Sequence, residues 1–220
     1  MEAIQPSAED FIVEIGPGEG VLTAPLLPRA GKLEAIELDR DLAAGLIERF
    51  PNLTVHCGDA LEFDFAQFPA GMRIVGNLPY NVSTPLLFHL ARFAPQVRDM
   101  HFMLQLEVVE RMVAAHSTPA YGRLSVSLQA RFAMKKLFKV AKGAFRPPPK
   151  VESAVVRMEP LDWQLPIDED LLRRAFSARR KTLRNALPEI DFAAAGIDAG
   201  LRPENLSPED YARLSMRSML

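Results

Sequence analysis

The chain is 220 residues long, 48% apolar and 25% charged, enough to bury the core of one large domain or of a medium domain with a small appendage. One Cys excludes a disulfide framework, the four His (His56, His89, His101, His116) never fall at metal-ligand spacing, and no apolar run approaches the roughly 20 residues of a membrane-spanning helix. The net charge of −2 conceals an imbalance, with 4 Lys/Arg and 13 Asp/Glu in residues 1–70 but 22 and 15 in residues 71–220.

Met1 to Asp10 do not read as a signal peptide, so a cytoplasmic protein with no membrane association and no metal is expected. Phe11 to Ile15 predicts a strand broken by Gly16, followed by a helical turn over Val21 to Leu27. Leu33 to Leu38 predicts a second strand, and Leu42, Leu46 and Phe50 recur at helical spacing over Asp41 to Phe50. Further strands are expected at Leu53 to His56, Met72 to Val75 and Met100 to Leu106, with a helix from Thr84 to Phe93. Alternating strands and helices imply an α/β doubly wound parallel sheet. Phe132 to Val140 and Val151 to Met158, separated by Gly143 and Pro147-Pro148-Pro149, read as a hairpin that completes the sheet. From Leu161 the pattern is helical and punctuated by proline, which divides the chain into a sheet domain (1–160) and a small helical domain (161–220). Basic residues concentrate from Arg123 to Arg157, where nine stand against Glu152 alone, and from Arg173 to Arg184, where six stand with no acid. That pattern suits a polyanionic partner and equally a solvated face.

Glu14-Ile-Gly-Pro-Gly-Glu-Gly20 follows the first strand, where glycines allow a sharp turn and a close approach to a ligand. A dinucleotide fingerprint would place its third glycine at position 21, but Val21 stands there. The acids Glu14 and Glu19 disfavour a pyrophosphate and suit a cationic sulfonium, although a glycine-rich turn with no ligand also fits. Glu37 closes the second strand, with Leu38 beside it, and can accept both hydroxyls of a ribose. Asp59, followed by Ala60, could accept from an adenine amine or cap a helix beginning near Leu61. Together these positions describe an adenosine-containing cofactor, and S-adenosylmethionine fits better than NAD.

Asn77-Leu-Pro-Tyr80 follows the fourth predicted strand. An exocyclic adenine amine is a poor nucleophile because its lone pair is delocalised into the ring. The Asn77 amide oxygen and the Leu78 carbonyl can accept from the amine, Pro79 fixes the turn, and Tyr80 offers a face for an extruded base. The remaining singletons have bland readings: Cys57 as a buried thiol, Met100 and Met103 as strand core, and Trp163 packed at the junction of the two domains.

The runs Glu14 to Gly20, Asn77 to Thr84, Tyr121 to Ser125, Gly143 to Ser153, Phe176 to Leu187 and Arg202 to Leu206 resemble the bacterial small-subunit rRNA adenine dimethyltransferases, the KsgA/RsmA family. The resemblance covers almost the whole chain. It implies a Rossmann-like class I methyltransferase fold and transfer of methyl groups from S-adenosylmethionine to N6 of two adjacent adenosines near the 3′ end of 16S rRNA on the 30S subunit. It also implies cofactor contacts from Glu14, Gly16, Gly18, Glu37, Leu38, Asp59, Ala60 and Asn77. Asn77, Leu78, Pro79 and Tyr80 would act on the target base, with Phe145 closing on its other face, and RNA would be held by Arg123, Arg146, Lys150, Arg179, Arg180, Lys181 and Arg184. A monomer is expected. Two departures stand out. The family carries a basic Gly-Gln-x-Phe-Leu type segment well before the first strand, whereas Met1 to Asp10 alone precede Phe11, which reads as an N-terminally shortened chain. His116-Ser117 also replaces an expected Pro-Gly turn. Alternatives are an N6-adenine methyltransferase acting on DNA or large-subunit rRNA, and a ribosome-assembly protein that binds without catalysis.

Overall fold

The β-branched run Phe11–Ile15 forms β1 and is buried on both faces, as a central strand of a covered parallel sheet must be. The computed structural model describes residues 1–79, 81–144, 149–177 and 180–218. After β1 come α1 (Thr23–Leu26), β2 (Lys32–Glu37), α2 (Arg40–Arg49), β3 (Thr54–Cys57), β4 (Met72–Asn77), α3 (Ser83–Leu90) and β5 (Val97–Gln105). The chain continues through α4 (Leu106–Met112), α5 (Arg123–Gln129), β6 (Phe132–Val140), β7 (Ser153–Pro160), α6 (Glu169–Ser177), α7 (Leu183–Ala186) and α8 (Pro208–Ser218).

The sheet has the order β3-β2-β1-β4-β5-β7-β6. β1 to β5 pair in parallel, and β7 pairs antiparallel with β5. The hairpin expected at the end of the sheet is present, with its second strand placed inside and β6 left at the edge. The fold is the Rossmann-like class I methyltransferase α/β sheet.

Two compact units emerge: Met1–Val109 with Met134–Pro160, and Glu110–Ala133 with Leu161–Leu220. The division does not run through residue 160 alone, because Glu110–Ala133, with α5 inside it, belongs to the second unit. There Tyr121, Val126, Leu172, Leu183, Tyr211 and Leu214 share one core. The Tyr121 hydroxyl donates to the Leu206 carbonyl at 2.9 Å and the Tyr211 hydroxyl to the Pro203 carbonyl at 2.9 Å. These bonds give the Tyr121 to Ser125 and Arg202 to Leu206 runs a joint structural role. Ser117 takes φ +65°, a conformation that favours the glycine expected in this turn, and its N–H donates to the Glu204 carbonyl at 2.7 Å.

Two bland readings are corrected. Cys57 is exposed, because it ends β3 at the outer edge of the sheet. Trp163 is 71% exposed. Backbone hydrogen bonds at Leu161 and Leu165 pin the segment on either side of Trp163 and leave its ring in solvent.

In the first unit a buried guanidinium stands below the cavity. Arg73 donates to both carboxylate oxygens of Asp99 (2.9 and 3.0 Å), to Asp10 (2.7 Å) and to the Ile4 carbonyl (2.5 Å). Burial pushes the Asp99 carboxyl up, but the His101 ring and the Arg73 guanidinium outweigh it and hold the group down to about 2. The stability this contributes is present above the ordinary Asp range near 3.8 and is lost as pH falls through about 2. Arg73→Leu strips the buried Asp99 of the guanidinium that bonds both its oxygens and leaves Asp10 with Arg98 alone, and is expected to cost about 3–5 kcal/mol in urea denaturation at pH 7. An unfolding midpoint equal to that of the wild type would show the pairing to be dispensable.

Candidate active site

Strand order reverses at β1, with β2 on one side and β4 on the other, and the crevice above such a reversal is where open α/β sheets bind ligands. The chain leaves β1 through a turn in which Gly16, Gly18 and Gly20 have φ of +64°, +57° and +77°. A Cβ on Gly16 or Gly18 would meet nothing within 4 Å, so backbone conformation demands these glycines and the space above them is open. Gly20 differs, because a Cβ there would stand 2.6 Å from the Phe50 ring. The glycine that misfits the dinucleotide spacing thus serves packing near the end of α2.

Glu37 is buried at the end of β2. One of its oxygens accepts from the Gly18 N–H and the other from the Asp39 N–H, each at 3.0 Å. Asp39 in turn caps α2 by accepting from the Asp41 and Leu42 N–H groups. Each Glu37 oxygen retains a lone pair for a further donor. Asp59 accepts from the Leu61 N–H at 2.8 Å, and the following residues form a turn rather than the helix its capping reading required.

A cavity of about 500 Å³ opens beside the glycine turn. Glu14, Gly16, Gly18 and Asn77 line it, whereas Glu37, Leu38, Asp59 and Ala60 stand outside its walls. Asn77 is the exposed last residue of β4, opposite Met103 of β5. The Leu78 side chain is buried and its N–H donates to the Met103 carbonyl at 3.2 Å, while the Pro79 carbonyl accepts from the Val82 N–H. Gly76 permits this approach, since a Cβ would lie 2.7 Å from the Ile15 carbonyl oxygen. Tyr80, Phe145, Arg146 and Arg179 lie outside the described residues. His101, Met103, Val155 and Phe138 also line the cavity and were not anticipated. All four fall within the predicted strands, but only the register shows that His101, Met103 and Val155 share a face with Asn77.

The family model for ribosomal RNA adenine dimethylase matches residues 1–217. The chain belongs to this family. It is 57% identical to the ribosomal RNA small subunit methyltransferase A of Aromatoleum aromaticum (98% of this chain, 86% of that one) and 56% identical to that of Thiobacillus denitrificans (98% and 89%). Among solved structures, a dimethyladenosine transferase from Plasmodium falciparum superposes with a TM-score of 0.82 at 28% identity, over 97% of this chain and 91% of that one. The 23S rRNA methyltransferase ErmE superposes with a TM-score of 0.72 at 26% identity, over 100% and 95%.

The rRNA adenine dimethyltransferase takes its methyl groups from S-adenosylmethionine. Its cavity suits that cationic donor: the glycine turn leaves open space, Glu14 is a buried acid in the wall, and Glu37, outside the wall, braces the turn through the Gly18 N–H. Burial pushes the Glu14 carboxyl up to about 7, helped by the nearby Glu37 charge, while the Thr23 hydroxyl, donating at 2.7 Å, pulls it back. In the free protein the stabilisation from a protonated Glu14 is complete below the ordinary Glu range near 4.5 and lost as pH rises through about 7.

Binding of a cation runs the other way, because only ionised Glu14 attracts it. Affinity for S-adenosylmethionine is therefore expected to rise several-fold between pH 6 and 8, with proton release smaller for neutral-sulfur S-adenosylhomocysteine. Glu14→Gln should flatten the difference between the two ligands. Calorimetry in buffers of different ionisation enthalpy checks this, and equal pH profiles for wild type and variant would remove Glu14 from the site.

Proposed function

We propose that the enzyme dimethylates N6 of each of two adjacent adenosines near the 3′ end of 16S rRNA, as a cytoplasmic monomer acting during assembly of the 30S subunit. The observation that carries this reading is the placement of Asn77, exposed to the cavity at the end of β4, with the following residue anchored on β5. S-adenosylmethionine, when bound, supplies an electrophilic methyl on a sulfonium. The Asn77 amide oxygen and the Leu78 carbonyl accept from the target NH₂, which draws the nitrogen lone pair out of conjugation. Pro79 fixes the turn, and Tyr80 and Phe145 stack on the two faces of the extruded base. No base of tuned pKa is needed, since positioning for in-line attack supplies most of the acceleration. Glu37 holds the ribose and Gly16 and Gly18 admit the cofactor closely, with Leu38, Asp59 and Ala60 facing its adenine.

RNA contacts come from the basic segments, and the helical residues 161–220 direct docking on the particle. Arg180, Lys181 and Arg184 are exposed, as is Lys150. Arg123 is committed in part to Glu169, at 3.5 Å. Among the described residues no helix is long and apolar enough to cross a membrane.

With labelled S-adenosylmethionine, label is expected in dimethyladenosine of undermethylated 30S and not in 50S, naked 16S RNA or DNA. Label in 50S or DNA would move the activity to another N6-adenine substrate, and tight 30S binding without label would indicate a binding protein. Asn77→Ala is expected to abolish transfer while sparing 30S binding; retained transfer would remove Asn77 from its role. Replacing Arg180, Lys181 and Arg184 by Ala should weaken 30S binding and lower its logarithmic salt slope by about 2 to 3. An unchanged slope would return these residues to a solvated face.

A further inference from the structure

We infer that the cavity floor formed by Met103, Val155 and Phe138 seats the nucleobase adjoining the one being methylated, with the Phe138 ring as its stacking platform. This deepens the proposed function and rests on it.

Asn77 of β4 pairs with Met103 of β5, and Met103 pairs with Val155 of β7. The sheet order puts β6, with Phe138, next beyond β7. All four residues line the cavity. Its floor therefore crosses four adjacent strands, a span of about 14 Å at the usual strand spacing. The glycine turn follows β1, on the opposite side of β4.

Asn77 thus divides the cavity. Toward β1 stand Glu14, Gly16 and Gly18, which suit a cationic donor. Away from it the floor is a thioether, an isopropyl group and a phenyl ring, with no charged group among these three to match a phosphate or an amine. A flat apolar face fits such a floor. The target amine must sit at Asn77, so the floor beyond Asn77 lies where the next nucleotide of the strand passes.

Phe138 is 50% exposed, on an edge strand where it adds little to the core. On β6, strand alternation gives Phe138 and Lys136 one face and Lys135 and Lys139 the other, and the strand carries no acid. An aromatic ring interleaved with lysines is the pattern with which proteins track single-stranded nucleic acid, the rings taking bases and the cations following the backbone. The same charge disfavours a basic protein segment as the occupant.

The probe is an undermethylated 30S particle assembled with 16S rRNA that carries 2-aminopurine next to the target adenosine. Wild-type enzyme is expected to quench its fluorescence by stacking. Phe138→Ala should abolish most of the quench and raise KM for undermethylated 30S roughly tenfold, with affinity for S-adenosylmethionine unchanged. Phe138→Trp and Phe138→Tyr should restore both readouts, and Phe138→Leu should not. Unaltered quench and KM in Phe138→Ala would overturn the assignment. So would full restoration by Leu, which would mean general apolar contact, or a parallel loss of cofactor affinity, which would give the floor to the cofactor. Absence of methyl transfer to 30S by the wild type would defeat the proposed function, whereas the quench series still decides whether Phe138 stacks a base.

Discussion

A guanidinium taken out of water must be neutralised and hydrogen-bonded, and Arg73 meets that requirement by drawing three segments together. Ile12, Arg73 and Asp99 lie in one lateral row of β1, β4 and β5, and Glu14, Val75 and His101 form the next row on the same face. The ion pairs therefore fix the register of these strands one side-chain repeat below the cavity wall. With that register set, Asn77 falls opposite Met103, and Gly76 passes the carbonyl end of β1. The bonds from Arg73 to the Ile4 and Gln5 carbonyls also hold the first residues against the sheet, where Ile4 joins the core of Ile12, Leu33 and Val75. A hydrophobic substitute could fill the volume, but it could not hold two carboxylates and two carbonyls at once.

Above this foundation the cavity is polarised. Its β1 side is acidic and its backbone is left-handed at Gly16 and Gly18, which gives open space near buried carboxylates. Burial is the main reason the Glu14 carboxyl rises, and repulsion from the Glu37 charge adds to it, while two backbone N–H groups bond to Glu37. A cation relieves that repulsion. The β5 to β7 side has no comparable groups among Met103, Val155 and Phe138, so a charged ligand gains nothing by moving there. The division gives the donor and the acceptor separate ends, with Asn77 between them.

The sheet was largely legible because strand periodicity and glycine punctuation coincide. β1 and β6 have the bounds expected, and β4 extends two residues further than the apolar run suggested because Gly76 and Asn77 remain in the ladder. α4 escaped notice because it follows β5 with no turn residue between them, and α5 because it is only seven residues long after Gly122. Cys57 and Trp163 were misplaced for a different reason: residue type favours burial for both, but position on an edge strand and on a pinned loop overrides it. Glycine-turn, Glu14 and Asn77 chemistry could be read locally. The apolar floor could not, since it is assembled from three strands whose order, β5-β7-β6, departs from the order of the chain.

The charge distribution acquires a sharper meaning once ion pairs are assigned. Part of the basic excess in the second half is spent internally: Arg123 and Arg131 face Glu169, Arg157 faces Glu159, Arg173 faces Asp170 and Arg174 faces Glu189. A count of cations along the sequence therefore overstates what a polyanion can meet. Exposed lysines of β6 and the exposed Arg180, Lys181 and Arg184 are a different population, because no acid stands beside them in sequence to neutralise them locally. Since each contacted phosphate releases counterion, it is this smaller set that should govern the salt dependence of RNA binding. In the acidic first half, Glu14 and Glu19 stand in the cavity wall, and burial leaves Glu14 partly protonated near pH 7 when no cationic donor is bound. Cofactor binding would then change the local field at the cavity mouth by little: the proton released from Glu14 is replaced by the positive charge of the ligand.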